Sequence, residues 1–179
     1  MSARTFAKVG FALALIAPGT AVPQDGQPPF GDDTDTAYAE TLWSALTEAS
    51  LAGEETIQAT PYEGTEPHGA VLQTLWTDIE VEGQEGMVVV KRNYGPAGIS
   101  IEEVANNPGD SLASVTVMFR REEGYAPESA NWFWAKYLPD GSLDQTPEGV
   151  PLAGRATGCI SCHSEAEGGD FLYTMDRLS

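Results

Sequence analysis

The stretch Ser114-Val115-Thr116-Val117-Met118-Phe119-Arg120-Arg121 reads as a β-strand, because it is rich in β-branched and apolar residues and contains neither Gly nor Pro. Successive side chains of a strand point to opposite faces of the sheet. One face would carry Val115, Val117 and Phe119, and the other Thr116, Met118 and Arg120. Apolar residues stand on both, so we expect both faces of the sheet to be partly covered.

Three further segments share this character: residues 71–79, 87–92 and 131–138. They are separated by clusters of Gly, Pro, Asn and Asp, which favour turns. In the last of them Trp132, Trp134 and Lys136 would face away from Phe133, Ala135 and Tyr137. With residues 114–121 these segments predict four antiparallel strands. Residues 93–112 and 139–157 are expected to be loops, and no internal repeat is present.

A helix is predicted before the first strand, over residues 36–51. Its apolar residues recur at helical spacing, namely Tyr38, Leu42, Ala45, Leu46 and Ala49. Asp33 to Asp35 would supply capping oxygens and negative charge at its start, and Gly53 stands where the chain would leave it. The fold class is therefore α+β, a mainly antiparallel β-sheet with flanking helices.

The first residues have the pattern of a secretory signal peptide. Arg4 and Lys8 precede an apolar run, and Gly19-Thr20-Ala21 supplies small residues for cleavage. We predict a signal peptide over 1–21, a flexible leader rich in Pro, Gly, Gln and Asp over 22–35, and one domain over 36–179. No later segment approaches about 18 apolar residues, so we expect an exported, periplasmic protein without a membrane anchor.

The chain is strongly acidic, with 27 Asp and Glu against 9 Lys and Arg and a formal net charge of −18. Such a field disfavours nucleic acid and anionic membrane surfaces as partners, whereas it attracts a basic redox protein. A need for solubility alone would also account for the excess of negative charge.

Both cysteines and one of the two histidines lie in Cys159-Ile160-Ser161-Cys162-His163. Two thiols three residues apart on a helical turn can reach the two vinyl groups of one porphyrin edge, and the adjacent imidazole then falls over the iron. In an exported protein this Cys-x-x-Cys-His pattern predicts the attachment of a single covalent haem c. Cys159 and Cys162 would anchor the porphyrin, and His163 would be the axial metal ligand.

Three other interpretations of the cysteines remain open. A Cys159–Cys162 disulfide would be sterically awkward and would close a small loop. A thioredoxin-like redox pair would need a βαβ unit for which the remaining residues leave no room. A zinc site would need His68 as its fourth ligand.

The position of the motif near the C-terminus bears on the sixth ligand of the iron. Met175 lies only 12 residues after His163, too near to reach the opposite side of the haem readily. His68 is the other available histidine and sits in a turn-like context, Glu66-Pro67-His68-Gly69. Ligation by His68 would close the iron and make it low-spin.

Several tracts in order along the chain resemble the cytochrome P-460 family. They are Pro67-His68-Gly69, Leu75-Trp76-Thr77-Asp78, Val88-Val89-Val90-Lys91, Val115-Thr116-Val117-Met118, Gly124-Tyr125, Asn131-Trp132-Phe133-Trp134-Ala135, and Cys159 to His163 with Asp170-Phe171. The resemblance implies a haem c at the C-terminal end of a mainly antiparallel sheet, often in a homodimer, with a pentacoordinate iron. It also implies oxidation of hydroxylamine, with electrons leaving to a soluble cytochrome, or binding of nitric oxide without turnover, as in the related cytochromes c′-beta.

Lys91 falls on the position of a lysine that is bonded to a haem meso carbon in the P-460 enzymes. Met87 and Val89 share its face of the strand, and burial of that face would desolvate the amine, as a nucleophilic amine requires. A solvated strand end is the alternative, because Arg92 follows.

The distal side departs from the family pattern, since Gln73 stands where the resemblance places a distal arginine. Gln73 could donate a hydrogen bond to a bound ligand but carries no charge. The position of a distal carboxylate is not evident, and Glu102, Glu103 and Glu122 are the candidates. Arg155 could pair with a haem propionate.

Overall fold

The computed structural model describes residues 29–173. The predicted signal peptide, the first half of the predicted leader and Met175 lie outside the described residues. Within the described part, no helix is both long and apolar enough to cross a membrane.

A six-stranded antiparallel sheet forms the centre of the fold, and its strands follow one another in the order of the chain. The four long strands confirm the sequence prediction and are, except for the last, longer than predicted. Two short edge strands, β1 and β6, were not predicted. The strands are β1 (Tyr62–Glu63), β2 (Val71–Val81), β3 (Gln84–Tyr94), β4 (Leu112–Arg120), β5 (Trp132–Tyr137) and β6 (Ala153–Gly154).

The predicted helix is present as α1 (Asp33–Glu48), about three residues earlier than expected. Asp32 caps its start, because its carboxylate accepts hydrogen bonds from the backbone N–H groups of Thr34 and Asp35. At its end Ser50, with φ +56°, adopts the left-handed conformation that was expected of Gly53. The Leu51 N–H then donates to the Leu46 carbonyl at 2.8 Å, which closes the last turn.

The segment predicted as a loop over residues 93–112 contains two short helices, α2 (Ile101–Asn106) and α3 (Pro108–Ser111). The cysteine motif lies on another short helix, α4 (Thr157–His163), where a helical turn was expected, and a 3₁₀ turn lies at Pro127–Ser129. Ser100 and Glu103 form a capping box at the start of α2, a local signal that the sequence carried and that the loop prediction missed.

The expected two-faced sheet is confirmed. One face, here called the helix face, packs against α1 and carries Val117, Phe119 and Phe133. The other, here called the His163 face, carries Val89, Met118 and Trp134, and the chain around α4 covers it. Each face therefore has its own apolar cluster, and the sheet separates the two.

Residues 29–35, the second half of the predicted leader, are part of the fold, and Asp33 to Asp35 already belong to α1. Phe30 is only 9% exposed and packs in the cluster of the His163 face. The Gly31 N–H donates to the Ala153 carbonyl at 2.9 Å, next to the start of α1. A single aromatic residue among Pro and Gly was too weak a signal to show this docking.

Candidate functional site

The short helix α4 carries the cysteine motif and ends at His163. Both cysteines are free thiols, with Cys159 half-buried and Cys162 exposed. Burial raises the pKa of the Cys159 thiol to about 11, so this thiol stays protonated at neutral pH. A reactive redox thiol has a lowered pKa, and the shift of the Cys159 pKa is in the opposite direction.

His163 is held in one orientation by a backbone carbonyl. Its Nδ1 lies 2.8 Å from the carbonyl oxygen of Phe171. A carbonyl can only accept, so Nδ1 carries the hydrogen, and in the neutral imidazole Nε2 keeps its lone pair. This is the arrangement by which proteins fix an imidazole as a metal ligand.

The segment after α4 turns back over it and supplies that carbonyl. Trp132 Nε1 donates to the Asp170 carbonyl at 2.8 Å, which ties the segment to β5. The Tyr173 hydroxyl donates to the Cys162 carbonyl at 2.8 Å, which ties it to α4. Phe171 itself has φ +66°, and this conformation lets the chain double back.

The imidazole of His163 is 5% exposed and packs on the sheet. Its ring lies 4.8 Å from the Trp134 ring, at 67° to it. Cys159 and Ile160 contact the same apolar cluster as Trp134. The cysteine motif therefore packs against the apolar and aromatic side chains of the His163 face.

Lys91 also lies on the His163 face, where it pairs with Thr116 of β4 and Thr74 of β2. Its side chain is only 8% exposed, which agrees with the buried lysine considered above and not with a solvated strand end. The Thr116 hydroxyl is 3.3 Å from Nδ1 of His68. The His68 ring in turn lies 6.1 Å from the His163 ring, so the structure brings Lys91, Thr116 and both histidines to one region.

Gln73 lies on the helix face, away from His163. It pairs with Arg92 of β3, which pairs with Val115 in the helix-face cluster. Its amide nitrogen donates to the Ala59 carbonyl at 2.6 Å, and its oxygen accepts from Tyr94 at 2.5 Å. The structure therefore does not bring Gln73 together with the cysteine motif.

The other charged candidates have roles at the surface. Glu103 is exposed and caps α2 through Ser100, and Glu102 is exposed on the same helix. Glu122 forms an ion pair with Arg121 at 3.0 Å. Arg155 is half exposed and lies 3.8 Å from a carboxylate oxygen of Glu128, a distance typical of a weak surface pair.

The residues of the His163 face fit a haem. The fixed imidazole and the two thiols are the donors that covalent haem attachment uses. Two buried donors on this face, Trp134 Nε1 and Arg120 Nε, have no hydrogen-bond partner among the described residues. Buried donors are normally paired, and the carboxylates of a bound haem would supply acceptors.

Sequence reasoning missed the Phe171 carbonyl, Tyr173 and Arg120. The Asp170-Phe171 tract was among the residues that resemble the family. The hydrogen bond to His163 is made by the backbone carbonyl of Phe171, however, and every residue has such a carbonyl, so the sequence could not indicate it. Arg120 was placed on the correct face by alternation alone, and its guanidinium stacks 4.5 Å from the Trp132 ring centre.

Comparison with models of known protein families gives a match. A model of the family Cytochrome P460 matches residues 47–174, which is more than half of the chain. No curated protein and no solved structure matches the chain. The matched region contains β1 to β6, α4 and most of the segment that holds His163. The chain therefore belongs to the Cytochrome P460 family of haem-binding cytochromes.

Proposed function

We propose that this chain is an exported mono-haem c protein that oxidises hydroxylamine in the periplasm. The observation that carries the proposal is His163, buried beside two free thiols with Nδ1 held by the Phe171 carbonyl, in a chain of the Cytochrome P460 family. A haem bound there supplies an iron that takes small nitrogen ligands and a macrocycle that carries electrons. Cys159 and Cys162 anchor it through thioether bonds.

The residues of the chain orient and shield this site. The Phe171 carbonyl keeps Nε2 of His163 available for the metal and increases its basicity. Trp134 packs against the imidazole and limits the access of water from the sheet side. Arg120 and Trp134 offer hydrogen-bond donors for the propionates.

Electrons from the substrate leave to a soluble cytochrome. The net charge of −18 favours a basic partner, and this attraction weakens as salt is added. The active form is a homodimer in this proposal, as the family resemblance implies.

The test is hydroxylamine-dependent reduction of an artificial electron acceptor by purified, haem-loaded protein. We expect turnover that depends on both hydroxylamine and haem content. The matched control is the same preparation with azide added to occupy the iron. Full haem loading without any reduction of the acceptor would remove the enzymatic proposal.

A non-catalytic cytochrome of the c′-beta type is the second candidate. Gln73 lies on the helix face, and Glu103 and Glu122 are engaged at the surface. None of these three residues can accept the substrate proton at the His163 face, and this favours ligand binding without turnover. Binding of nitric oxide by the ferrous protein, with no reduction of the acceptor, is the result this alternative expects.

Lys91 gives a separate prediction about the macrocycle. Lys91 is buried on the His163 face, where a bond from its amine to a haem carbon could form under a two-electron oxidant such as peroxide. That bond replaces one N–H and one C–H, so it lowers the intact mass by a pair of hydrogen atoms. We expect the reduced wild-type protein to absorb far to the red of an ordinary haem c, and Lys91→Ala to lack this shift.

The control for Lys91 is the neighbouring Arg92→Lys variant, because Arg92 lies on the opposite face of the sheet. Its spectrum should match the wild type. Identical ferrous spectra for the wild-type protein and Lys91→Ala, together with masses that differ only by the substituted side chain, would show that no bond to Lys91 forms.

A further inference from the structure

His68 lies in a turn that is fixed to the end of the sheet. Its N–H donates to the Thr65 carbonyl at 2.9 Å, and the Ala70 N–H donates to the Tyr94 carbonyl at 3.1 Å. Gly69 has φ +137°, and a Cβ there would lie 2.8 Å from the Tyr94 carbonyl oxygen. The close approach requires glycine and determines where the preceding imidazole is placed.

The imidazole of His68 is directed onto the His163 face. Its Nδ1 is 3.3 Å from the Thr116 hydroxyl oxygen, and Thr116 is the partner of Lys91 across β3 and β4. When Nδ1 donates its hydrogen to Thr116, Nε2 keeps its lone pair. His68 then has the same tautomer that the Phe171 carbonyl imposes on His163.

The separation of the two imidazoles matches a pair bound to one metal ion. Their ring centres are 6.1 Å apart, and their planes are at 87°. Two imidazoles on opposite sides of one metal ion have ring centres about 6 Å apart, since each metal–nitrogen bond is about 2 Å and each nitrogen lies about 1 Å from its ring centre. Perpendicular ring planes are compatible with ligation of one metal ion, because each imidazole can rotate about its own metal–nitrogen bond.

A distal histidine that only hydrogen-bonds an added ligand would stand farther away. That arrangement inserts one hydrogen bond, which lengthens the separation by about 2.8 Å. The 6.1 Å between the ring centres of His68 and His163 is too short for an added ligand and a hydrogen bond between the metal and His68. The distance therefore favours direct ligation over a purely hydrogen-bonding role.

We propose that His68 is the sixth ligand of the iron in the resting protein, opposite His163, and that a substrate or gas must displace it. This inference rests on the proposed haem at the His163 face and differs from the permanently open position that the family resemblance implies. His68 is half-buried at the rim of the sheet and residues 65–67 before it are exposed, so the imidazole can leave without disturbing the apolar clusters. His68 then regulates access to the iron.

The test is the spin state of the ferric iron in protein matured with its haem, read by electron paramagnetic resonance and absorption. We expect the wild type to be low-spin, His68→Ala to be high-spin, and added imidazole to return His68→Ala to low spin. Glu66→Gln in the same turn is the matched control and should stay low-spin. Haem content, measured as the pyridine complex, is determined first for each protein.

Ligand affinity gives a second measurement on the same proteins. If fewer than about one molecule in ten is open at rest, removal of the competing imidazole should tighten azide binding by about tenfold or more. High-spin wild-type iron, or low-spin iron that persists in His68→Ala, overturns the assignment of His68 and leaves the proposed function intact. A protein that takes up no haem overturns both.

Discussion

Replacing both thiols in a Cys159→Ser, Cys162→Ser double variant should abolish covalent haem. A thioether requires a sulfur atom, and the described residues contain no free thiol other than these two. After denaturing electrophoresis the wild type should stain for haem and the double variant should not. Each single variant keeps one possible thioether and should stain more weakly than the wild type.

The loss of the haem should also lower stability. A ligand that binds only the folded state stabilises it, and one present at 100 times its dissociation constant contributes about 2.7 kcal/mol. A covalent haem cannot be diluted away, so the double variant should unfold at a lower temperature than the wild type. Thermal unfolding followed by far-ultraviolet circular dichroism measures this difference.

Ser161→Ala is the matched control for the cysteine variants. Ser161 lies between the two cysteines on α4 and its side chain is exposed. The control should stain as strongly as the wild type. Haem that remains on the denatured double variant would contradict the attachment proposed here, because no sulfur in the motif could then hold it.

The central sheet could be predicted because its signal is local and repeated. Alternation in Ser114 to Arg121 fixed both the strand and the two faces, and the structure confirms the partition into two apolar clusters. The two-residue strands β1 and β6 carry no such pattern, since strands this short are defined by their neighbours. The start of α1 was misplaced because several aspartates compete for the cap, and only the structure shows that Asp32 forms it.

The site was predictable as far as residue type determines chemistry. Cys159, Cys162 and His163 stand out by their spacing, whereas the fixed tautomer of His163 depends on a carbonyl eight residues away. Gln73 shows the limit of alignment to a family pattern, because a shift of one residue along a strand moves a side chain to the opposite face. Its neighbour Thr74 pairs with Lys91 on the His163 face. The relation between His68 and His163 is a contact across 95 positions that no local pattern encodes.

Phe133→Ala should cause the largest loss of stability of any single variant considered. Phe133 is fully buried on the helix face, and its ring lies 4.8 Å from that of Tyr38 on α1. Removing a buried phenylalanine ring costs about 3–5 kcal/mol, since apolar contacts are lost and a cavity remains. Folded proteins are stable by only about 5–15 kcal/mol, so this is a large fraction of the total.

Urea and thermal unfolding of the haem-loaded protein measure the effect of Phe133→Ala. At about 2–4 °C per kcal/mol for a domain of this size, the midpoint should fall by roughly 10 °C. Leu138→Ala, at an apolar residue that is 38% exposed, is the matched control and should change stability by less than about 1 kcal/mol.

The haem spectrum of folded Phe133→Ala distinguishes loss of packing from damage to the site. Phe133 lies on the helix face and its neighbour Trp134 on the His163 face, so the sheet separates the cavity from the His163 imidazole. Below its unfolding transition the variant should therefore keep the wild-type absorption bands. Bands that move before unfolding begins would show that the two clusters are coupled through β5, because a cavity on one face would then alter the packing of Trp134 against His163.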